Sequence, residues 1–90
     1  MIGKFVIVRT YSAGVHVGIL EEFAGTHVRL SQAQRLWSWD TAFTLSEVSV
    51  SGVPSARVSV KVREIALTQA IEVLPCEEKA IQSLLRVVPG

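Results

Sequence analysis

Cysteine is nearly absent from this chain: Cys76 is the only one in 90 residues. No internal disulfide can therefore staple the fold, and a reducing, cytoplasmic setting is expected. Long hydrophobic runs are missing too. A membrane-spanning helix needs about 20 consecutive apolar residues, whereas a run such as Phe5-Val6-Ile7-Val8 stops after four. Arg9 and Tyr11 interrupt this first apolar stretch and no small-residue cleavage pattern follows, so a secretory leader is not expected. Charge of one sign is also scarce. The net charge is +1, too little for a surface that tracks the phosphates of nucleic acid.

Catalytic signatures are equally thin. The chain holds no Gly-x-Ser-x-Gly elbow, no Walker loop and no His-Glu-x-x-His pair. His16 and His27 fall in different segments with no cysteine near either, which argues against a metal site. Cys76 precedes Glu77 and Glu78, whose carboxylates would raise a thiol pKa, so a buried structural cysteine is expected rather than a nucleophile. Asp40 and Glu47 could form an acid–base pair, but a helix-capping role accounts for Glu47 more simply. The expectation is a protein that is not an enzyme and carries neither cofactor nor metal.

What the chain does have is apolar content: 49% of its residues are hydrophobic and the mean hydropathy is positive. Ninety residues make a single domain, 1–90, which buries only about 60–65% of its unfolded surface. The surplus means either that both faces of a sheet are covered or that apolar surface is hidden between copies of a homo-oligomer, and the second is expected. Alternation places strands at residues 4–10, 15–19 and 26–30, with Ser12-Ala13-Gly14 turning between the first two and Gly25 before the third. Residues 33–39 read as extended and aromatic. Thr44-Leu45-Ser46-Glu47 fits a capping box, and Gly52 with Pro54 ends the short helix it opens. Strict alternation from Ala56 to Val62 predicts one strand with a cationic face (Arg57, Lys61, Arg63). An apolar run follows from Ile65 to Leu74. Glu77 to Leu85 predicts a final helix whose stripe is Ala80, Ile81, Leu84 and Leu85. The fold class expected is a β-rich α+β domain: a small antiparallel, barrel-like β meander with a short internal helix and a C-terminal helix, assembled as an oligomer.

Two segments carry more chemistry than a sheet needs. In Tyr11-Ser12-Ala13-Gly14, small residues would let backbone N–H groups approach an anion. Arg9 and Arg35 are planar donors suited to phosphate. Tyr11, Trp37 and Trp39 could stack on a purine. The same residues also suit an ordinary turn and a packed core. Trp37 and Trp39 share strand parity, which a core would produce as readily as a stacking platform.

The segments "IVRTYSAGVHVG", "AQRLWSWDTAFTLSEVSVSGV" and "IALTQAIEVLPCEEKAIQSL" together resemble the phage Thoeris anti-defence family of the first-described type, whose members sequester nucleotide signals. The specific parts are Arg9 to Val15 and Arg35-Leu36-Trp37-Ser38-Trp39-Asp40. Gln34 and Ser38 depart from it, standing where the family tends to have an arginine and an aromatic. The resemblance implies a β-rich domain forming homodimers that can assemble further into hexamers. It implies pockets that hold a cyclic nucleotide second messenger, such as a cyclic ADP-ribose isomer or a cyclic oligonucleotide of the CBASS type. Binding without cleavage would block immune effectors in the cytoplasm of an infected bacterial cell. In that picture Arg9 and Arg35 neutralise phosphates, and Ser12, Ala13 and Gly14 donate backbone hydrogen bonds. Trp37 or Tyr11 stacks on adenine with Trp39 beside them, and Asp40 and Ser46 bind ribose hydroxyls. The competing expectation is a small protein–protein interaction module, of phage or bacterial origin, with no nucleotide ligand.

Overall fold

The structure is a computed structural model that describes residues 1–39 and 44–90. Six strands and two helices occupy those residues: β1 (Phe5–Thr10), β2 (Val15–Ala24), β3 (His27–Trp39), α1 (Leu45–Ser51), β4 (Ala56–Val58), β5 (Val62–Leu67), β6 (Ala70–Pro75) and α2 (Glu78–Leu85). All strand pairs are antiparallel, in the order β4-β3-β2-β1-β6, with β5 also paired to β3. The β-rich antiparallel architecture with one internal and one C-terminal helix is thus the one the residue pattern predicts.

Alternation in β1 sets up two cores. Val6 and Val8 join Leu20, Val28, Leu30 and Leu67 on the inner face. Ile7 faces the other way with Val17, Leu36 and Val58, covered by Leu45 and Val48 of α1 and Leu84 of α2. Fully burying each such aliphatic side chain stabilises the fold by about 1.5–3 kcal/mol. The sheet rolls to enclose the inner core. Strands β5 and β6 lie on opposite edges, yet only Thr68 and Gln69 separate them in the chain. The β2–β3 turn curls over to meet that connection: Ala70 N donates to Thr26 O (3.0 Å) and Thr26 Oγ1 donates to Thr68 O (3.1 Å).

Several expectations are revised in detail. The strand expected over Ala56–Val62 is broken at Ser59–Lys61, which bulges opposite Gln34 and Arg35. Polar groups there compete with a regular ladder. Ser59 Oγ accepts from Arg35 N (2.8 Å) and Gln34 Nε2 donates to Ser59 O (3.0 Å). The break changes strand parity, so Val60 and Val62 are exposed rather than buried with Val58. The extended 33–39 segment is the far end of the 13-residue β3 rather than a separate element. The apolar 65–74 run divides between two edges of the sheet. Leu85, expected on the buried stripe of α2, is 49% exposed, because α2 rests on the sheet through Ala80 and Leu84.

The short helix α1 forms where its cap predicts. Thr44 is the N-cap and its Oγ1 accepts from Glu47 N (3.2 Å). Gly52 closes it with φ 75°, its N–H donating to Val48 O (2.8 Å). With β-branched Val48 and Val50 in seven residues, α1 owes its stability to tertiary packing more than to helix propensity.

Candidate functional site

The turn expected to cradle a ligand is braced from within. Gly14 adopts φ 84°, a left-handed geometry that a Cβ would make costly. This lets the chain reverse so that Thr10 N and Thr10 Oγ1 both donate to Gly14 O (3.0 and 2.8 Å). Ala13 N donates to Thr10 Oγ1 (2.8 Å), and Tyr11 N donates to Gln69 O (2.9 Å). The Ser12 hydroxyl donates to Gln69 Oε1 (3.1 Å). The amides of Tyr11 and Ala13 are therefore already used inside the fold, and Tyr11 projects its ring into solvent.

Behind the turn lies His16, buried and facing Ala13. Its Nε2 lies 2.9 Å from Ala13 O. A carbonyl can only accept, so Nε2 carries the hydrogen. Burial pushes the pKa of His16 down, and the nearby Arg35 guanidinium adds to the effect against the opposing pull of the Ala13 bond. His16 is a neutral brace for the turn. Among the described residues no group of three or more His, Cys, Asp or Glu side chains is placed to hold a metal ion.

The ten expected ligand contacts fall into separate places. On the inner face Arg35 and Trp37 share a shallow cleft of about 240 Å³ with His16, Gln34, Ser59 and Val62. The turn lies beside it, since a Cβ built on Gly14 would sit 3.7 Å from Arg35 Nε. On the helix-covered face Arg9, Trp39 and Ser46 share a cleft of about 430 Å³, together with Val15, Thr44 and Glu72. Small-molecule sites typically enclose roughly 300–1,000 Å³. The second cleft reaches that range and the first does not. Asp40 lies outside the described residues.

The two tryptophans part company because the β3–β4 register shifts between Leu36 and Ser38. An extra residue in one strand turns the side chains beyond it to the opposite face. Trp39 consequently packs against the Ile7–Leu36 core, while Trp37 is 61% exposed. Arg9 gains a neighbour that sequence reading missed. Glu72 stands directly across from it in the β1–β6 register, with Arg9 Nε 3.4 Å from Glu72 Oε1. Arg9 and Glu72 lie on strands from the two ends of the sheet-forming sequence, β1 and β6, so nothing local announces the pair. The pair is solvent-exposed, and such contacts contribute about 0–1 kcal/mol, so it adds little to the stability of the fold.

Cys76 is half-buried in the helix-side core, and its thiol pKa is raised as expected, but for a different reason. Burial, rather than Glu77 and Glu78, pushes its pKa up to about 12.

The arrangement is that of a small rolled antiparallel sheet whose helices leave clefts lined by arginine and tryptophan. The chain belongs to the family described as Domain of unknown function (DUF6948), which it matches over residues 3–84. No curated protein and no solved structure matches it. Among the described residues no helix is long and apolar enough to cross a membrane.

Proposed function

We propose that this domain binds a nucleotide-type signal without transforming it, in the cleft formed by Arg9, Trp39 and Ser46. The observation that carries the reading is this convergence: a cation from β1, an indole from the end of β3 and a hydroxyl from α1 line one cleft of about 430 Å³. A guanidinium can pair with a phosphate, an indole can stack on a base, and a hydroxyl can bond a ribose. The resemblance of the sequence extends the reading to a cyclic nucleotide immune signal, a cyclic ADP-ribose isomer or a cyclic oligonucleotide, held and so withdrawn from its effector.

Sequestration of a scarce signal calls for nanomolar affinity, about −12 kcal/mol. An open cleft on one copy falls short of the enclosure that such affinity usually needs. A second copy of the chain seated over that cleft would supply it, and a copy seated on the exposed Tyr11, Trp37, Val60 and Val62 would hide the apolar surface of the opposite face. The latter would also bring Arg35 and the Ser12–Gly14 turn into a covered site. The species proposed is therefore a homodimer or a higher assembly.

Calorimetric titration of the intact protein with cyclic ADP-ribose isomers and cyclic dinucleotides tests this directly. Binding that Arg9→Ala and Trp39→Ala each weaken, with unchanged nucleotide recovered by mass spectrometry after denaturation, is the expected result. Absence of heat with every nucleotide overturns the proposal in favour of a protein-interaction module. Recovery of altered nucleotide overturns the non-catalytic half of it.

A further inference from the structure

A third cleft, of about 520 Å³, opens on the helix-covered face of the sheet, where α2 leaves it uncovered. Its apolar residues are Phe5 of β1, Ile19 of β2, and Ile81 and Leu85 of α2. Phe5, Ile19 and Ile81 are only partly buried and Leu85 is exposed, so the fold leaves an apolar floor facing water that its own side chains do not fill. Lys4 and Lys61 line the same cleft. They are far apart in the sequence, Lys4 just before β1 and Lys61 from the bulge between β4 and β5. Neither ammonium has an ion-pair or hydrogen-bond partner among the described residues.

The remaining polar groups leave the balance cationic. Glu78 is the one carboxylate among the lining residues, and it already accepts from Gln82 Nε2 (2.9 Å). Cys76 also lines the cleft; its neutral thiol adds apolar wall and no competing charge. Gln32 stands at the rim with φ 51°. It lies in the β2–β3 bulge, where the register shifts between Val17 and Ile19.

We propose that this cleft is a binding site for an amphipathic carboxylate, a molecule with an aliphatic tail and one anionic head. The tail would cover Phe5, Ile19, Ile81 and Leu85, and the head would sit between the Lys4 and Lys61 ammoniums. Ammonium groups on flexible stems suit a point anion of variable position better than they suit a planar phosphate clamp. The apolar floor selects for the tail, and a free inorganic anion would gain nothing from it. This site is separate from the Arg9–Trp39 cleft and does not depend on the nucleotide reading.

Decanoate below its micelle concentration is the probe, followed by backbone amide NMR of the intact protein, with decanol and decylamine as controls. Decanoate is expected to shift the amides of Phe5, Ile19, Gln32 and Ile81 in a saturable way. Lys4→Gln combined with Lys61→Gln should weaken decanoate by about tenfold, as two exposed ion pairs are lost, while leaving decanol unaffected. Added salt should weaken decanoate alone. Equal binding of decanoate and decylamine would overturn the proposal, as would shifts confined to other surfaces or no shifts at all. Both lysines are exposed, so the double variant keeps the fold, and its unshifted amide spectrum checks this.

Discussion

Gly52 is where the two helices meet, and replacing it with alanine should be among the most damaging single changes available. Its φ of 75° and ψ of −165° lie in a region that is essentially reserved for glycine, at a cost of about 1–3 kcal/mol for any other residue. Space is lacking as well. A Cβ at Gly52 would collide with the Ser83 hydroxyl, and would lie 2.9 Å from Ser83 Cβ and 3.2 Å from the Ala80 Cα of α2. Forcing a methyl group into such a contact costs about 1–3 kcal/mol. Moving Ser83 aside would also break the bond from Val53 N to Ser83 Oγ (3.0 Å), a further ~1 kcal/mol. Together these give about 3–7 kcal/mol. A domain of this length has a total stability of about 5–13 kcal/mol, so Gly52→Ala would remove a large share of it. Urea unfolding followed by tryptophan fluorescence reads the loss directly. With an m-value of about 1 kcal/mol/M, the midpoint should fall by several molar or the protein should be unfolded at the outset. Ser83→Gly in the Gly52→Ala background separates the two causes. If the clash matters, the double variant should be more stable than the sum of the single losses predicts. A Gly52→Ala loss below about 1 kcal/mol would refute both the strain and the packing argument.

Two further outcomes follow from the geometry. His16 is held neutral, with its folded pKa lowered by burial; the unfolded chain therefore binds the proton more readily. The stability this neutrality contributes is complete above the ordinary histidine value of about 6.5 and is lost as pH falls below it toward the lower folded pKa. Urea midpoints measured from pH 7.5 down to pH 5 should decline in the parent chain and decline less in His16→Gln; parallel slopes would refute the assignment. The tryptophans should separate in the same assay, because Trp39 packs on the helix-side core whereas Trp37 is 61% exposed. Trp39→Ala should cost about 2–4 kcal/mol and Trp37→Ala less than about 1 kcal/mol, and equal losses would show that the bulge does not divide them.

Local chemistry and periodicity sufficed for much of the fold. The faces of β1, the Thr44 cap, the Gly52 stop and the C-terminal helix are each encoded within a few neighbouring residues, where side-chain period and orphan backbone groups act. The candidate site was legible only as a set of residue types. Arg9, Arg35, Trp37 and Trp39 stand out as donors and rings, but parity placed the two tryptophans together, and the register shift at Leu36–Ser38 separates them. The Ser59–Lys61 bulge likewise exposes Val60 and Val62, which alternation had assigned to the core.

The sequence by itself determined the alternating faces of β1, the Thr44 start and Gly52 stop of α1 and the place of α2, because those choices depend on residues in contact along the chain. Tertiary structure alone decided which arginine meets which tryptophan, that Glu72 faces Arg9, and that Lys4 and Lys61 border one cleft. Each of these depends on pairing between strands far apart in the chain, or on a one-residue bulge. A single extra residue in a strand turns every later side chain to the other face, and no local pattern records it.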